Sequence, residues 1–153
     1  LFHNVTNSLP DEDIRFLLVG AGQSDYFLEI TSYINKNNLS EKVIYLPLQD
    51  RDGLRGYLSL CKAAFWLGGA SNSIQEAMAC KTVPFLSNSP VVEHLIIDAR
   101  QNIDVIDQIT ALKNVVSVLQ DSAISSKVQS YVFENYTWKK SAKNHINIYR
   151  ESY

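Results

Sequence analysis

The sequence predicts an α/β fold, in which a parallel sheet carries helices on both faces and is followed by a C-terminal helical segment. Short, almost continuously apolar runs alternate with helical patterns as far as about Asp107, which is typical of parallel strands covered on both sides. Beyond that point only helical patterns follow. With 46% hydrophobic and 20% charged residues among 153, the composition is that of a globular chain able to bury a core.

Four apolar runs are predicted to be strands because each is short and is bounded by polar residues, glycine or proline. In chain order they are Arg15–Gly20 (RFLLVG), Val43–Leu48 (VIYLPL), Ala63–Leu67 (AAFWL) and Val83–Leu86 (VPFL).

Apolar residues at helical spacing predict the helices between and after these strands. The first three stripes are Phe27, Ile30 and Ile34; Leu54, Leu58 and Cys61; and Ile74, Ala77 and Met78. The C-terminal part contains a stripe of Ile109, Leu112, Val116 and Leu119, a helix over about Ser122–Asn135, and a last stripe of Trp138, Ala142, His145, Ile146 and Tyr149. Thr137 is the expected N-cap of the last helix.

Composition also excludes several classes of protein. A net charge of −2 gives no electrostatic footprint for nucleic acid, and no apolar run approaches the roughly 20 residues that span a bilayer. The N-terminus, LFHNVTNSLPDED, is neither a signal nor a transit peptide, and the lack of a starting Met suggests a fragment of a longer polypeptide. Cys61 and Cys80 have no CxxC or His cluster near them, which argues for a reducing compartment and against a metal.

Ligands of open parallel sheets bind beyond the carboxyl ends of the strands, where helix N-termini attract anions. Two turns qualify, Gly20–Asp25 (GAGQSD) and Gly68–Glu76 (GGASNSIQE). The first lacks the third glycine of a dinucleotide fingerprint, because Asp25 stands there, so a nicotinamide cofactor is not favoured. No P-loop motif is present, and the first strand does not end in the acidic pair of a receiver domain.

The second turn has two interpretations that stay open at this point. Gly68 and Gly69 let the backbone approach a ligand, Ser71–Ser73 supply donors for phosphate oxygens, and Glu76 can accept hydrogen bonds from a ribose diol. Alternatively, Ser73-Ile74-Gln75-Glu76 fits a capping box in which Ser73 caps the helix and Glu76 closes back on it.

Several motifs in this order resemble those of the family 4, glycogen-synthase-like glycosyltransferases. The matching segments are RFLLVGAG (15–22), KVIYLPL (42–48), SIQEAMACKTVP (73–84), PVVEHLI (90–96) and YTWKKSAKNHINIY (136–149). The chain looks like the C-terminal, nucleotide-sugar-binding half of such an enzyme, a Rossmann-like half of a GT-B fold, and is similar to bacterial surface-polysaccharide transferases.

The resemblance implies a set of nucleotide-sugar-binding residues. Glu76 would bind the ribose hydroxyls, the backbone of Leu46–Leu48 would meet the base, Ser71–Ser73 would face the diphosphate, and Gly22 would border the same crevice. The full set is Gly22, Leu46, Pro47, Leu48, Gly69, Ser71, Asn72, Ser73 and Glu76. No catalytic residue, cofactor or metal is assigned.

The chain departs from the family pattern in three ways. The Arg and Lys that neutralise the leaving diphosphate would lie before Leu1, so we expect residues 1–153 to be one donor-binding domain, without its first strand and without an N-terminal acceptor domain. Gly68 replaces the first acid of the E-x7-E pair, and the GGAS form resembles lipid-linked inverting N-acetylglucosaminyltransferases, which leaves retention or inversion open. Lys81-Thr82 replaces the usual glycine turn.

The sequence therefore predicts the half of a hexosyl- or N-acetylhexosaminyltransferase that binds a UDP-sugar for transfer to a saccharide or lipid-linked acceptor, inactive by itself. The alternatives are a UDP-sugar 2-epimerase-like domain and a non-catalytic nucleotide-binding α/β module. The resemblance implies a cytoplasmic location and leaves open whether the full-length protein associates peripherally with the inner face of the membrane.

Overall fold

The computed structural model describes residues 2–20, 25–104 and 106–151. The chain divides into two compact units, Leu1–Gly56 and Tyr57–Tyr153, and each contains a parallel sheet of its own.

The first unit contains a two-stranded sheet. Its elements are α1 (Phe2–Ser8), β1 (Phe16–Val19), α2 (Asp25–Lys36), β2 (Val43–Leu46) and most of α3 (Arg51–Leu60), which continues across the boundary between the units. The strands are parallel and in register from Phe16 opposite Val43 to Val19 opposite Leu46. The core consists of Ile34, Leu39 and Val43, with Phe16, Leu18, Ile30 and Tyr45 packed against them. The α2 stripe is thus confirmed.

The second unit contains a three-stranded parallel sheet in the order β3-β4-β5. Its strands are β3 (Ala63–Trp66), β4 (Val83–Ser87) and β5 (Asn102–Ile103), and its helices are α4 (Asn72–Ala79), α5 (Gln108–Gln120), α6 (Ile124–Asn135) and α7 (Trp138–Glu151). Two 3-10 turns, Glu93–Leu95 and Ala99–Gln101, lie between β4 and β5.

Burial in the second unit centres on β4 and on one face of α4. Ile74, Ala77 and Met78 are fully buried, as their spacing predicted, and Phe85 of β4 is buried and stacks on Phe65 of β3 with ring centroids 5.1 Å apart. A strand buried in this way needs apolar residues on both of its sides, which is why β4 reads as a continuous apolar run.

The prediction for α5 was wrong about which face is buried. The structure buries Ala111, Val115 and Val118, whereas Ile109 of the predicted stripe is 70% exposed. Apolar residues occupy much of the circumference of this helix, so their spacing alone cannot choose the face that packs.

A buried glutamine takes the place of a neighbouring strand beside the first half of β4. Gln101 is fully buried; its Nε2 donates to the Pro84 carbonyl at 3.1 Å, and its Oε1 accepts from the backbone N–H groups of Ile97 and Asp98. Because a buried carbonyl without a partner is costly, this side chain satisfies the polar backbone that β5 is too short to reach.

The α4–β4 turn explains the Lys81-Thr82 departure. Thr82 N–H donates to the Ala77 carbonyl and Lys81 N–H to the Met78 carbonyl, which is the Schellman pattern that ends a helix. Lys81 has φ +67°, the left-handed conformation that glycine adopts most easily, and the buried Thr82 hydroxyl bonds the Leu58 and Cys61 carbonyls.

None of the described helices is both long enough and apolar enough to cross a bilayer. The described residues also contain no group of three His, Cys, Asp or Glu side chains that could hold a metal ion.

Candidate functional site

The candidate site lies in the second unit, where the chain leaves the carboxyl end of β3 and enters α4. Every residue of the connecting turn, 67–71, is exposed. Gly69 has φ +82°, and a Cβ built at either Gly68 or Gly69 would meet no heavy atom within 4 Å. The turn therefore has open space around its backbone, and only Gly69 needs glycine for its conformation.

The backbone N–H groups of this turn are available to a ligand. Within the described part of the chain, those of Gly68, Gly69, Ala70 and Ser71 have no hydrogen-bond acceptor. Successive unpaired N–H groups next to a helix N-terminus are the groups that proteins use to bind phosphate oxygens.

Ser71 is the N-cap of α4, which excludes the capping-box interpretation of this turn and leaves the ligand-binding interpretation as a prediction. It has extended backbone angles (φ −144°, ψ 143°), its hydroxyl accepts from Ser73 N–H at 3.3 Å, and its carbonyl accepts from Ile74 N–H. The capping box predicted for Ser73 and Glu76 is wrong, because the helix begins two residues earlier than that box requires. Glu76 is the fifth residue of α4, outside the first turn, and is partly buried.

A tryptophan that sequence reasoning missed holds the two serine hydroxyls. Trp66 Nε1 donates to Ser73 Oγ at 3.0 Å, and Ser73 Oγ lies 2.7 Å from Ser71 Oγ. The two serines have two hydroxyl hydrogens, of which their shared bond uses one, so one remains to donate to another group. If Ser73 donates to Ser71, the remaining hydrogen belongs to the exposed Ser71 and faces the same solvent as the turn. No spacing rule pairs a strand-end Trp with a serine seven residues later.

The other sequence-predicted residues belong to the first unit or fall outside the described residues. Gly22 is outside them. Leu46 is the last residue of β2 and its carbonyl accepts from Gly20 N–H, while the Pro47 carbonyl accepts from Gln49 Nε2. Leu48 is 87% exposed, and its backbone has no hydrogen-bond partner in the described part of the chain. Of these three, Leu48 has the backbone groups best able to bind a ligand.

Three solved structures resemble this chain. Sucrose-phosphate synthase from Thermosynechococcus elongatus has a TM-score of 0.75 at 19% identity, covering 97% of this chain and 41% of that one. The catalytic domain of cholesterol-alpha-glucosyltransferase from Helicobacter pylori has a TM-score of 0.69 at 18% identity. The match covers 88% of this chain and 87% of that one. Anabaena HepE, solved in complex with UDP, has a TM-score of 0.71 at 16% identity. The match covers 99% of this chain and 45% of that one.

These similarities confirm the predicted fold, parallel sheets flanked by helices as in the domains of GT-B glycosyltransferases. The chain spans less than half the length of two of the three. A search of curated protein sequences finds no significant match. The model of the family described as glycosyl transferases group 1 matches residues 2–135, which is most of the chain, and we conclude that the chain belongs to this family.

Proposed function

We propose that this chain is the donor-binding part of a glycosyltransferase that uses a UDP-sugar. The observation that carries the proposal is the exposed turn before α4, where unpaired N–H groups and the Ser71 hydroxyl meet the start of a helix in a chain of this family. The UDP bound to HepE supports uridine as the nucleoside.

In this proposal the diphosphate binds at the start of α4. The partial positive charge of the helix N-terminus and the N–H groups of Gly69–Ser71 attract the phosphate oxygens. The Ser71 hydroxyl adds a donor when Ser73 donates the hydrogen bond that the two serines share. Asn72, exposed as the first helical residue, supplies an amide. Ser73 acts on the ligand through Ser71, because its own hydroxyl is bonded to Trp66 and Ser71.

Nucleoside recognition is assigned to the remaining predicted residues. The Glu76 carboxylate accepts hydrogen bonds from the ribose diol, since a carboxylate has two oxygens at the separation of two neighbouring hydroxyls. The assignment of Leu46, Pro47 and Leu48 to the base and of Gly22 to the nucleotide stays a prediction from the family resemblance.

The reaction proposed is transfer of a hexosyl or N-acetylhexosaminyl group to a saccharide or lipid-linked acceptor. As the bond from the sugar to the diphosphate breaks, negative charge grows on the departing UDP, and donors already in place at the turn stabilise it. No residue of the chain is assigned to the acceptor in this proposal, and the chain by itself is expected to be inactive. Surface-polysaccharide synthesis in the cytoplasm, at the inner face of the membrane, fits this chemistry.

Calorimetric titration of UDP and of uridine into the chain tests the proposal. Ser71→Ala removes the cap hydroxyl and is expected to weaken UDP binding about tenfold, since a hydrogen bond to a charged group is worth about 1.5–3 kcal/mol. Uridine, which has no phosphate, should bind equally to both proteins. Ser126→Ala, at an exposed serine of α6, is the matched control and should change neither. Absence of saturable UDP binding to the unmodified chain would rule the proposal out.

A further inference from the structure

The segment after β4 begins at the same edge of the sheet as the candidate site. β3 and β4 are parallel neighbours in register, with Trp66 opposite Leu86, so the chain leaves both strands on one side. The chain that leaves β3 enters the exposed turn 67–71 before α4. The β4 exit leads into the 3-10 turn Glu93–Leu95. Ligands that bind at strand ends commonly contact the loops of adjacent strands.

The 3-10 turn Glu93–Leu95 has two exposed polar side chains between two buried apolar ones. Val92 and Leu95 are 1% and 2% exposed, whereas Glu93 and His94 between them are exposed. The Ser89 carbonyl accepts from both Val92 and Glu93 N–H at 3.1 Å, which closes the chain before the turn. Glu93 and His94 therefore project from a segment fixed by the core beneath it.

Two tyrosines, one in α6 and one at the end of that helix, form hydrogen bonds to the same turn. Tyr131 of α6 and Tyr136, the C-cap of that helix, both donate their hydroxyls to the His94 carbonyl, at 2.8 and 3.3 Å. Water could satisfy this accessible carbonyl, so the two bonds are not needed to avoid an unpaired acceptor. Their effect is to hold the turn in place. The centroids of the Tyr136 and His94 rings also lie 5.9 Å apart, so the tyrosine ring limits the rotation of the imidazole.

The side chains so held have no polar partner within the described part of the chain. Neither the Glu93 carboxylate nor the His94 imidazole makes a hydrogen bond or ion pair there. A carboxylate repels the phosphates of a nucleotide but accepts hydrogen bonds from neutral hydroxyls, and an imidazole can donate or accept. The pair thus fits an uncharged, hydroxyl-rich group rather than the diphosphate.

We propose that Glu93 and His94 bind the hydroxyls of the donor's sugar and that Tyr131 is the positioning residue that holds them there. The sugar then lies over the β4 side of the sheet edge, with the diphosphate on the α4 side. This inference rests on the proposed function, since it needs a nucleotide-sugar at that edge.

The test compares binding of UDP, UDP-glucose and UDP-N-acetylglucosamine to the chain by calorimetry. Glu93→Gln removes the carboxylate's charge, and Tyr131→Phe removes only the hydroxyl. Each is expected to weaken binding of at least one UDP-sugar about tenfold while UDP affinity stays within about twofold. Tyr33→Phe, at an exposed tyrosine of α2, is the control and should change nothing. In Glu93→Gln, adding Tyr131→Phe should cost much less than it does alone, because a positioning residue acts through the group it positions.

The outcomes separate this inference from the proposed function. If the unmodified chain binds no UDP, the proposed function and the sugar-binding inference are both wrong. If UDP binds but the two variants leave the affinity for both UDP-sugars unchanged, the sugar assignment is wrong and the diphosphate site remains. The same holds if the variants lower the affinity for UDP as much as the affinity for the UDP-sugars. Additive losses in the double variant would overturn the positioning role of Tyr131.

Discussion

Gly68 and Gly69 are neighbours in the exposed turn 67–71 before α4, but a side chain at these two positions would have different effects on stability. Gly69 has φ +82°, so alanine there is strained, whereas Gly68 has an ordinary φ and open space at its Cβ position. We expect Gly69→Ala to lower the free energy of unfolding by about 1 kcal/mol and Gly68→Ala to leave it unchanged or slightly raised. Urea denaturation of both variants measures the difference.

The same pair also reports on the ligand. If phosphate oxygens approach the backbone at Gly68, a methyl group there should weaken UDP binding although it costs the fold nothing. Gly68→Ala with full stability and full UDP affinity would show that the ligand does not approach this residue.

Lys81 occupies a left-handed position that the related sequence pattern gives to glycine. A residue with a side chain at such a φ costs roughly 1 kcal/mol relative to glycine. Lys81→Gly should therefore raise the free energy of unfolding by up to about 1 kcal/mol, partly offset by the greater freedom of glycine in the unfolded chain. Lys62→Gly, at an exposed lysine outside any helix, lacks this strain and should lower stability instead. A loss of stability in Lys81→Gly would contradict the strain argument.

An ion-pair network ties the second 3-10 turn to α5 and to the residue that follows it. Arg100 contacts Asp98 at 2.7 Å and Asp121 at 2.8 Å and donates to Ser117 of α5. Hydrogen bonds from Arg100 lower the pKa of Asp98 to about 2 and lower the pKa of Asp121 as well.

This network predicts a loss of stability in acid. A carboxyl whose folded pKa is depressed stabilises the fold above its unfolded pKa of about 4, and that stability is lost as the pH falls toward 2. Urea midpoints at pH 6, 4 and 2.5 should fall over this range, and Arg100→Gln should make the fall smaller. Arg55→Gln, at an exposed pair with Asp52, should leave the pH dependence unchanged. An identical acid response in all three proteins would contradict the prediction.

At the scale of elements, the sequence predicted where strands and helices occur better than where they end or which side they bury. β2 stops at Leu46 rather than Leu48, since Pro47 has no N–H to continue the ladder. α3 begins at Arg51 rather than Leu54 because the Asp50 carboxylate accepts from Gly53 N–H. α1 and β5 were not predicted: α1 is seven residues long, and β5 is two residues placed by the buried Gln101.

At the scale of the whole molecule, the family and the turn before α4 could be predicted because both depend on short local motifs. EAMA marks α4, and the small polar residues before it mark the N-terminus of that helix. The contacts of Trp66 with Ser73 and of Tyr131 with His94 could not be predicted, because they form only after separate elements pack. Whether residues 1–153 act as one donor-binding domain stays a prediction.

Two members of the apolar stripe of the last helix are uncovered, since Trp138 and Ile146 are 90% and 50% exposed. Its helical start is as predicted, with Lys140 N–H donating to the Thr137 hydroxyl at 3.3 Å.

The central claim is that α4 carries the donor site, and UDP affinity of Glu76→Gln tests it most directly. The Glu76 side chain lies outside the first turn of α4 and glutamine forms helices about as well as glutamate, so the helix itself should lose less than about 1 kcal/mol. Loss of charge-assisted bonds to the ribose diol, worth roughly 1.5–3 kcal/mol each, should weaken UDP binding at least about tenfold. Glu134→Gln, at an exposed glutamate of α6, is the control. Calorimetric titration beside thermal melts should show lower UDP affinity at nearly constant melting temperature. Unchanged UDP affinity in Glu76→Gln would contradict the account.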